Sequence, residues 1–442
     1  MQPSLKLFIA IAFAGSAVTA HAADLLQVYR DAAGFDAQYA AARAARAAGL
    51  EKLPQGRAGL LPTIGLSANT TWNELESKAR TSGATTRSAD YNSNGWNVSL
   101  SQPLFRWQNW VGYKQSELAA ALAEMQFAQA SQDLILRVSQ AYFDVLLAQE
   151  TLSTAQAQKL AFAEQLESAK RNFEVGTATI TDTHEAQARH DLAIATEIAA
   201  ENDLAVKRQT LRTLTGKEAD TLKGLKPGIQ IGAPQPADIG QWVSSAETGN
   251  IGVQVAQANL DVSGREIERQ RAGHYPTLDL VATHGKSGSG FSSNTGSGVD
   301  SKSSTIGLQL AVPLFAGGAV SSKEREAAAF HDKARADLDN VRRQATLAAR
   351  QSYLGVNAGL AQVRALEAGV ASSQLAVESN KLGYEVGVRI NIDVLNAQSQ
   401  LFDTRQKLAK ARLDTLIAQL KLKAAAGTLA EPDLAAINAL LE

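Results

Sequence analysis

Cysteine is absent from this chain, which excludes disulfides, thiolate metal sites and lipid attachment to an N-terminal cysteine. Proline is scarce, with only ten residues, none between Pro103 and Pro227 and none between Pro313 and Pro432. An excess of either charge is lacking too. Forty-three basic residues face forty-four acidic ones, for a net charge of −1, so there is no basic surplus for nucleic acid and no acidic tail. After Ala22 no apolar run reaches the ~18 residues a transmembrane helix needs. A mature chain that crosses a membrane must therefore do so as a closed β-barrel, in which every backbone polar group is paired. The six histidines form no ligand cluster: His21 lies in the leader, and His184 and His190 are too far apart in helical phase to share a face. No nucleophile, acid–base pair or cofactor motif stands out, and no enzymatic activity, cofactor or metal is expected.

Lys6, the apolar run Leu7–Val18 and the small-residue site Ala20-His21-Ala22 predict a secretory signal peptide over residues 1–22. Its apolar run is too short to span a bilayer. The remainder reads as one unit written twice. RNFEVGTATITD (Arg171–Asp182) is answered by KLGYEVGVRINID (Lys381–Asp393), about 211 residues on. Pro62 is matched by Pro276, Pro103 by Pro313, Tyr142 by Tyr353 and Gly216 by Gly427, all at offsets of about 210–214 residues. That period is far longer than a solenoid repeat of about 20–50 residues. The expected division is a first repeat over 23–240 and a second over 241–442, packed with pseudo-symmetry.

Four segments alternate with period two, at about 62–73, 91–102, 276–286 and 303–313. Ile64, Leu66, Ala68 and Trp72 share one face, as do Trp96, Val98 and Leu100; Leu278, Leu280 and Ala282; and Ile306, Leu308, Leu310 and Val312. The opposite face carries Ser, Thr, Asn, Gln and Gly with scarcely a charge, which suits a wet lumen better than a soluble exterior. A half-buried strand of a soluble sandwich would show the same alternation. The polar stretches Asn73–Tyr91 and Lys286–Ser303 read as hairpin loops. Pro62, Pro103, Pro276 and Pro313 mark the other strand ends, since proline cannot serve a ladder or a helix interior. Four strands are too few to close a barrel, whose smallest membrane form has about eight, so several chains must share one.

The proline-free stretches predict long helices over Gln108–Arg171 and Val320–Gly383, far longer than a globular helix. Leu134, Val138, Ala141, Val145, Ala148, Leu152, Ala155, Phe162, Leu166, Ala169 and Phe173 form a heptad row broken only by Lys159, which implies left-handed supercoiling. Val175-Gly176 and Val386-Gly387 mark tight turns into return helices Asp182–Thr215 and Asp393–Ala426, completing hairpins over about 108–216 and 320–427. In the second return helix the row continues through Val394, Ala397, Leu401, Leu408, Ala411, Ala418 and Leu422. Shorter helices, about Leu25–Lys52 and Trp242–Arg271, stack on the return helices, and the Pro/Gly-rich stretch Lys217–Gly240 wraps around the middle.

LLQVYRDA, LLPTIGL, AYFDVLLA, RNFEVGTATITD, GHYPTLDL, AVPLFAGG, GYEVGVRINIDVLNAQ and AAGTLAEPDLAAIN follow one another along the whole mature length. In these segments the chain resembles the TolC family of outer-membrane efflux and secretion ducts. The resemblance implies an α+β membrane protein: a homotrimer whose twelve-stranded barrel in the outer-membrane lipid of a Gram-negative bacterium continues into the periplasm as a coiled-coil α-barrel. It implies a passive exit duct of a tripartite efflux pump or a type I secretion system, or both. A dedicated protein-secretion duct is the nearest alternative. A trimeric coiled-coil adhesin or structural rod would share the heptads but lack the paired strands. The implied partners are a periplasmic adaptor and an inner-membrane transporter of RND, ABC or MFS type.

The resemblance also implies site residues. Thr181, Asp182, Tyr384 and Arg389 match a periplasmic gate in which Asp182 holds Tyr384 and Arg389, tying the inner hairpin to its neighbours. Taken alone, Asp182 reads first as a helix cap with Glu185 three residues on and Tyr384 as a seam residue, while Asp393 reads equally as a helix N-cap. Asp393 matches an acidic constriction ring. Better-known members add a second aspartate three residues on, where this chain has Asn396, so the implied ring charge is about half. The turns at Val175-Gly176 and Val386-Gly387 resemble docking sites for the adaptor's hairpin tip.

Overall fold

The computed structural model describes residues 23–442 apart from 79, 81, 82, 84, 219, 220 and 293–295. The expected signal peptide, 1–22, lies outside the described residues.

Strands β1 (Thr63–Lys78), β2 (Thr86–Phe105), β3 (Thr277–Ser289) and β4 (Val299–Ala311) form one antiparallel sheet in the order β1-β2-β3-β4. The register puts Ile64 opposite Leu100, Leu100 opposite Ala282 and Ala282 opposite Ile306, so the four apolar faces expected from alternation are one continuous face. The sheet is not closed within the chain, and β4 is exposed along its whole length. The strands run further than the alternation predicted. Most of Asn73–Tyr91 and half of Lys286–Ser303, expected to be loops, pair as strand. Pro103 lies within β2 rather than at its end, beside a register shift between Pro103 and Phe105, the kind of irregularity at which a ladder tolerates a missing N–H.

Beyond β2 the chain enters α4 (Trp107–Glu174), 68 residues and about 100 Å long, and returns as α5 (Ile180–Thr215). Beyond β4 it repeats the pattern with α8 (Ala319–Glu385) and α9 (Asn391–Ala425). Most of the expected row on α4 is buried, from Leu134 and Val138 to Leu166 and Ala169, although Phe173 at its end is 43% exposed. Lys159, the break in the row, reaches Glu197 of α5 at 2.5 Å, so its charge is paired rather than stranded in the seam.

The two shorter helices are each broken. Leu25–Lys52 divides into α1 (Leu25–Phe35) and α2 (Ala37–Leu50), followed by α3 (Lys52–Ala58). Trp242–Arg271 divides into α6 (Ile239–Gly249) and α7 (Ile251–Arg271). The breaks fall at Asp36 and Asn250, whose side chains cap the next helix by accepting from Tyr39 N at 2.7 Å and Val253 N at 3.3 Å. These two positions occupy equivalent places in the two halves. The same equivalence holds for Tyr142 and Tyr353: Tyr142 Oη donates to Lys223 O at 2.8 Å and Tyr353 Oη donates to Ala237 O. Each tyrosine thereby pins one end of the strap that wraps the middle. Beneath it, Leu25, Tyr142, Leu211, Leu416 and Leu434 close an apolar core, completed by α10 (Glu431–Asn438).

Laterally the order is α5, α4, α9, α8: α4 packs on both α5 and α9, and α9 packs on α8. At the junction of sheet and helices, Arg106 donates to both carboxylate oxygens of Asp279, at 2.8 and 2.6 Å. That bidentate pair neutralises the charge on the otherwise polar face of β3 and fixes the start of α4 against the sheet. Among the described residues no helix is long and apolar enough to cross a membrane.

Candidate functional site: the hairpin tips

Both long hairpins turn by the same device. At the end of α4, Gly176 has φ +80°, its N–H donates to Phe173 O at 3.0 Å, and Thr177 N donates to Asn172 O at 2.8 Å. At the end of α8, Gly387 has φ +79°, with Gly387 N donating to Tyr384 O at 3.1 Å and Val388 N to Gly383 O at 2.9 Å. The left-handed conformation closes the helix end and leaves Val175 and Val386 projecting, 73% and 64% exposed.

The return helices start differently. Thr179 caps α5 in a capping box: Asp182 N donates to Thr179 Oγ1 at 3.3 Å, and Thr179 N donates to Asp182 Oδ2 at 2.9 Å. The box joins Thr179 to Asp182, not Asp182 to Glu185 as the sequence suggested. On α9 the equivalent capping position is Ile390, which has no side-chain acceptor. Asp393 is therefore in the first turn rather than at the N-cap, and Arg389 lies 3.5 Å from its carboxylate. Asp182 and Asp393 both place negative charge at a helix N-terminus, where the backbone dipole favours it.

Within the chain Asp182 does not reach Tyr384 or Arg389. Tyr384 Oη instead accepts from Asn172 Nδ2 at 3.0 Å, and Asn396 Oδ1 accepts from Arg189 at 2.9 Å. Thr181 is exposed. Besides these two contacts, the hairpins are joined here by Asn391, which is fully buried. Its Nδ2 donates to Asp182 O at 3.2 Å and its Oδ1 accepts from Gln165 Nε2 at 2.5 Å. Phe162, Leu166, Ala186 and Leu395 form the apolar cluster at this level. Sequence reasoning missed Asn391 and Gln165. One signal was present: Asn391 falls three residues before Val394, in phase with the α9 row. Among the described residues no group of acidic and histidine side chains could hold a metal.

A strand meander with one apolar face, joined to two heptad-packed hairpins with exposed turns, is the architecture of a duct wall. The profile of the family described as "Outer membrane efflux protein" matches the chain twice, over residues 28–217 and 242–428. The outer membrane protein TolC of Vibrio cholerae is 34% identical over 99% of this chain and 98% of its own length. The proteases secretion protein PrtF of Dickeya chrysanthemi is 34% identical over 98% and 94%. In structure, the outer membrane protein VceC of Vibrio cholerae superposes with a TM-score of 0.76 at 18% identity, covering 91% of this chain and 96% of that one. The chain belongs to the outer membrane efflux protein family. It is an outer-membrane efflux or secretion channel that extends into the periplasm. Its relatives carry transport and secretion names, not enzyme names.

Proposed function

We propose that three copies of the chain form one barrel of twelve strands above one tunnel of helices, a passive exit duct. The carrying observation is that the chain has two edges of matching kind, each with a strand paired on one side alone and a helix exposing an apolar row. In the sheet these are β1 and β4. Among the helices they are α5 and α8, and both expose apolar rows at heptad spacing. Leu347, Leu354, Leu375 and Leu382 line α8, 55–64% exposed, and Leu192 and Val206 line α5, 64% and 53% exposed. An exposed heptad row calls for a facing helix, and an open strand edge calls for a strand. Repeated head-to-tail contact satisfies both, and a rotation that closes yields a ring. The number three rests on the family resemblance.

In this reading Thr181, Asp182, Tyr384 and Arg389 form the periplasmic gate, with Asp182 meeting Tyr384 and Arg389 between neighbours rather than within one protomer. Asp393 and Asn396 line the constriction below. The tips at Val175-Gly176 and Val386-Gly387 receive a periplasmic adaptor, and an inner-membrane transporter supplies the energy. Efflux and type I secretion are both served by such a duct, and the secretion name of PrtF supports the latter. The test is mass determination in detergent combined with planar-bilayer recording. A trimer with discrete channels is expected; a monomer without conductance would overturn the proposal.

A further inference from the structure

On β3 and β4 the face that carries the apolar rows turns charged above the Ala282–Ile306 pair. Lys286 and Lys302 are direct cross-strand partners on β3 and β4, and Trp96 of β2 stands opposite Lys286. By register they lie on the same face as Leu278, Leu280, Ala282 and Ile306, four residues nearer the far loops than the Ala282–Ile306 pair. Between the two rows His284 Nδ1 and Ser304 Oγ are 2.7 Å apart. Like charges directly opposite each other on a strand pair repel. Only Lys286 is compensated, by Asp300 at 3.1 Å; Lys302 has no ion-pair partner among the described residues.

The height of this pair in the membrane follows from strand geometry. Lys302 is ten residues from Val312, the last apolar residue before Pro313. At about 3.4 Å per residue and a tilt of about 40°, that separation is about 26 Å along the membrane normal, which matches an apolar band about 25 Å tall. The lysines therefore stand at the outer-leaflet headgroup level, the side away from the helices. Trp96, 41% exposed, is the amphipathic ring such an interface favours.

We propose that Lys286 and Lys302, with Trp96 beside them, form a site on the outer wall of the barrel for the phosphorylated headgroup of an outer-leaflet glycolipid. The anion relieves the lysine–lysine repulsion while its acyl chains run down the apolar rows below. Free phosphate offers the same charge but not the chains. The inference rests on the strands forming a barrel with this face to lipid.

The test uses the full chain in detergent, with native mass spectrometry of bound bisphosphorylated lipid A and its dephosphorylated form. Wild type is expected to retain the phosphorylated lipid, and Lys286→Gln/Lys302→Gln to retain about tenfold less or below. Asp300→Asn, which frees Lys286, is expected to retain more, an increase that a misfolded protein would not give. Equal retention by the double variant, equal retention of dephosphorylated lipid, or displacement by millimolar inorganic phosphate would each overturn the site. Planar-bilayer recording separates the two levels. A double variant that conducts like wild type but has lost lipid isolates the lysine site, whereas a wild type without channels refutes the barrel itself.

Discussion

Asn391 Nδ2 donates to the backbone carbonyl of Asp182, 3.2 Å away, and so joins the first turn of α9 to the first turn of α5. Gln165 of α4 completes the link from the other side at 2.5 Å. Replacing Asn391 with leucine leaves Gln165 buried without its partner, at a cost of about 1–3 kcal/mol. If opening separates the hairpins, that loss falls on the closed state. Asn391→Leu is expected to raise open probability in planar bilayers several-fold. Gln165→Leu/Asn391→Leu, which removes both polar groups, is expected to recover thermal stability. A single variant that gates like wild type would show that these contacts persist when the duct opens.

Tyr384, in the last turn of α8, and Arg389, just before α9, flank the turn beside the same link. Tyr384→Phe removes the hydroxyl that accepts from Asn172, and Arg389→Ser removes the cation 3.5 Å from Asp393. Both substitutions are expected to increase single-channel conductance, Arg389→Ser the more, because it also removes any ionic contact with a neighbouring protomer. Unchanged conductance in both would remove these residues from the gate.

The parts legible in the sequence are those where one physical constraint acts over many residues. A 3.5-residue period must persist along a supercoiled seam, so Leu134 to Ala169 declared itself. Period-two alternation must persist where one strand face is apolar throughout, so Ile64 to Trp72, Trp96 to Leu100, Leu278 to Ala282 and Ile306 to Val312 did too. The alternation fades at Glu74, Glu76 and Lys78, although pairing continues to Lys78, because strands beyond the apolar band need no apolar face. The breaks at Asp36 and Asn250 were hidden by apolar periodicity running through them; only their capping chemistry marks them. Arg106 and Asp279 are 173 positions apart, and no local pattern predicts such a pair. Asn391 and Gln165 were overlooked because a polar residue in a seam reads as an interruption until its partner is seen.

Asn396 offers a test of selectivity. Asn396→Asp adds one carboxylate per chain three residues beyond Asp393, and therefore three to a trimeric ring. Arg189, 2.9 Å from Asn396 Oδ1, will screen part of the new charge. The reversal potential in a salt gradient is expected to shift toward cation preference, and further when Arg189→Gln is added. No shift in either variant would place position 396 outside the ion path.

Glu266 makes acid stability measurable. Burial alone would raise its pKa, but hydrogen bonds from Arg269, Gln115 and Gln270 outweigh burial and bring it from 4.5 to about 2. Gln115 belongs to α4 and Glu266 to α7, at 2.9 Å, so the carboxylate ties the two halves of the protomer. A pKa depressed on folding contributes stability that is complete above the unfolded value and is lost as pH falls from about 4.5 toward about 2. Glu266→Gln is expected to lower Tm at neutral pH and to flatten its decline between about pH 5 and about pH 3. A wild-type slope retained in the variant would assign the acid sensitivity to other carboxylates.

The projecting tips test adaptor docking. Substituting Gly176 or Gly387 directly confounds docking with folding, because a side chain at φ near +80° costs about 1–2 kcal/mol. Val175 and Val386 avoid this: both have ordinary backbone angles and project into open surroundings. Val175→Asp and Val386→Asp place a charge where an apolar contact with an adaptor hairpin would form, and a desolvated unpaired charge is strongly unfavourable. Export by the complete pump is expected to fall at least about tenfold in the double variant, with trimer content, heat stability and bilayer conductance as in wild type. Crosslinking of the tips to the adaptor is expected to fall in parallel. Full export with these charges in place would move docking away from the tips, to the grooves between the hairpins.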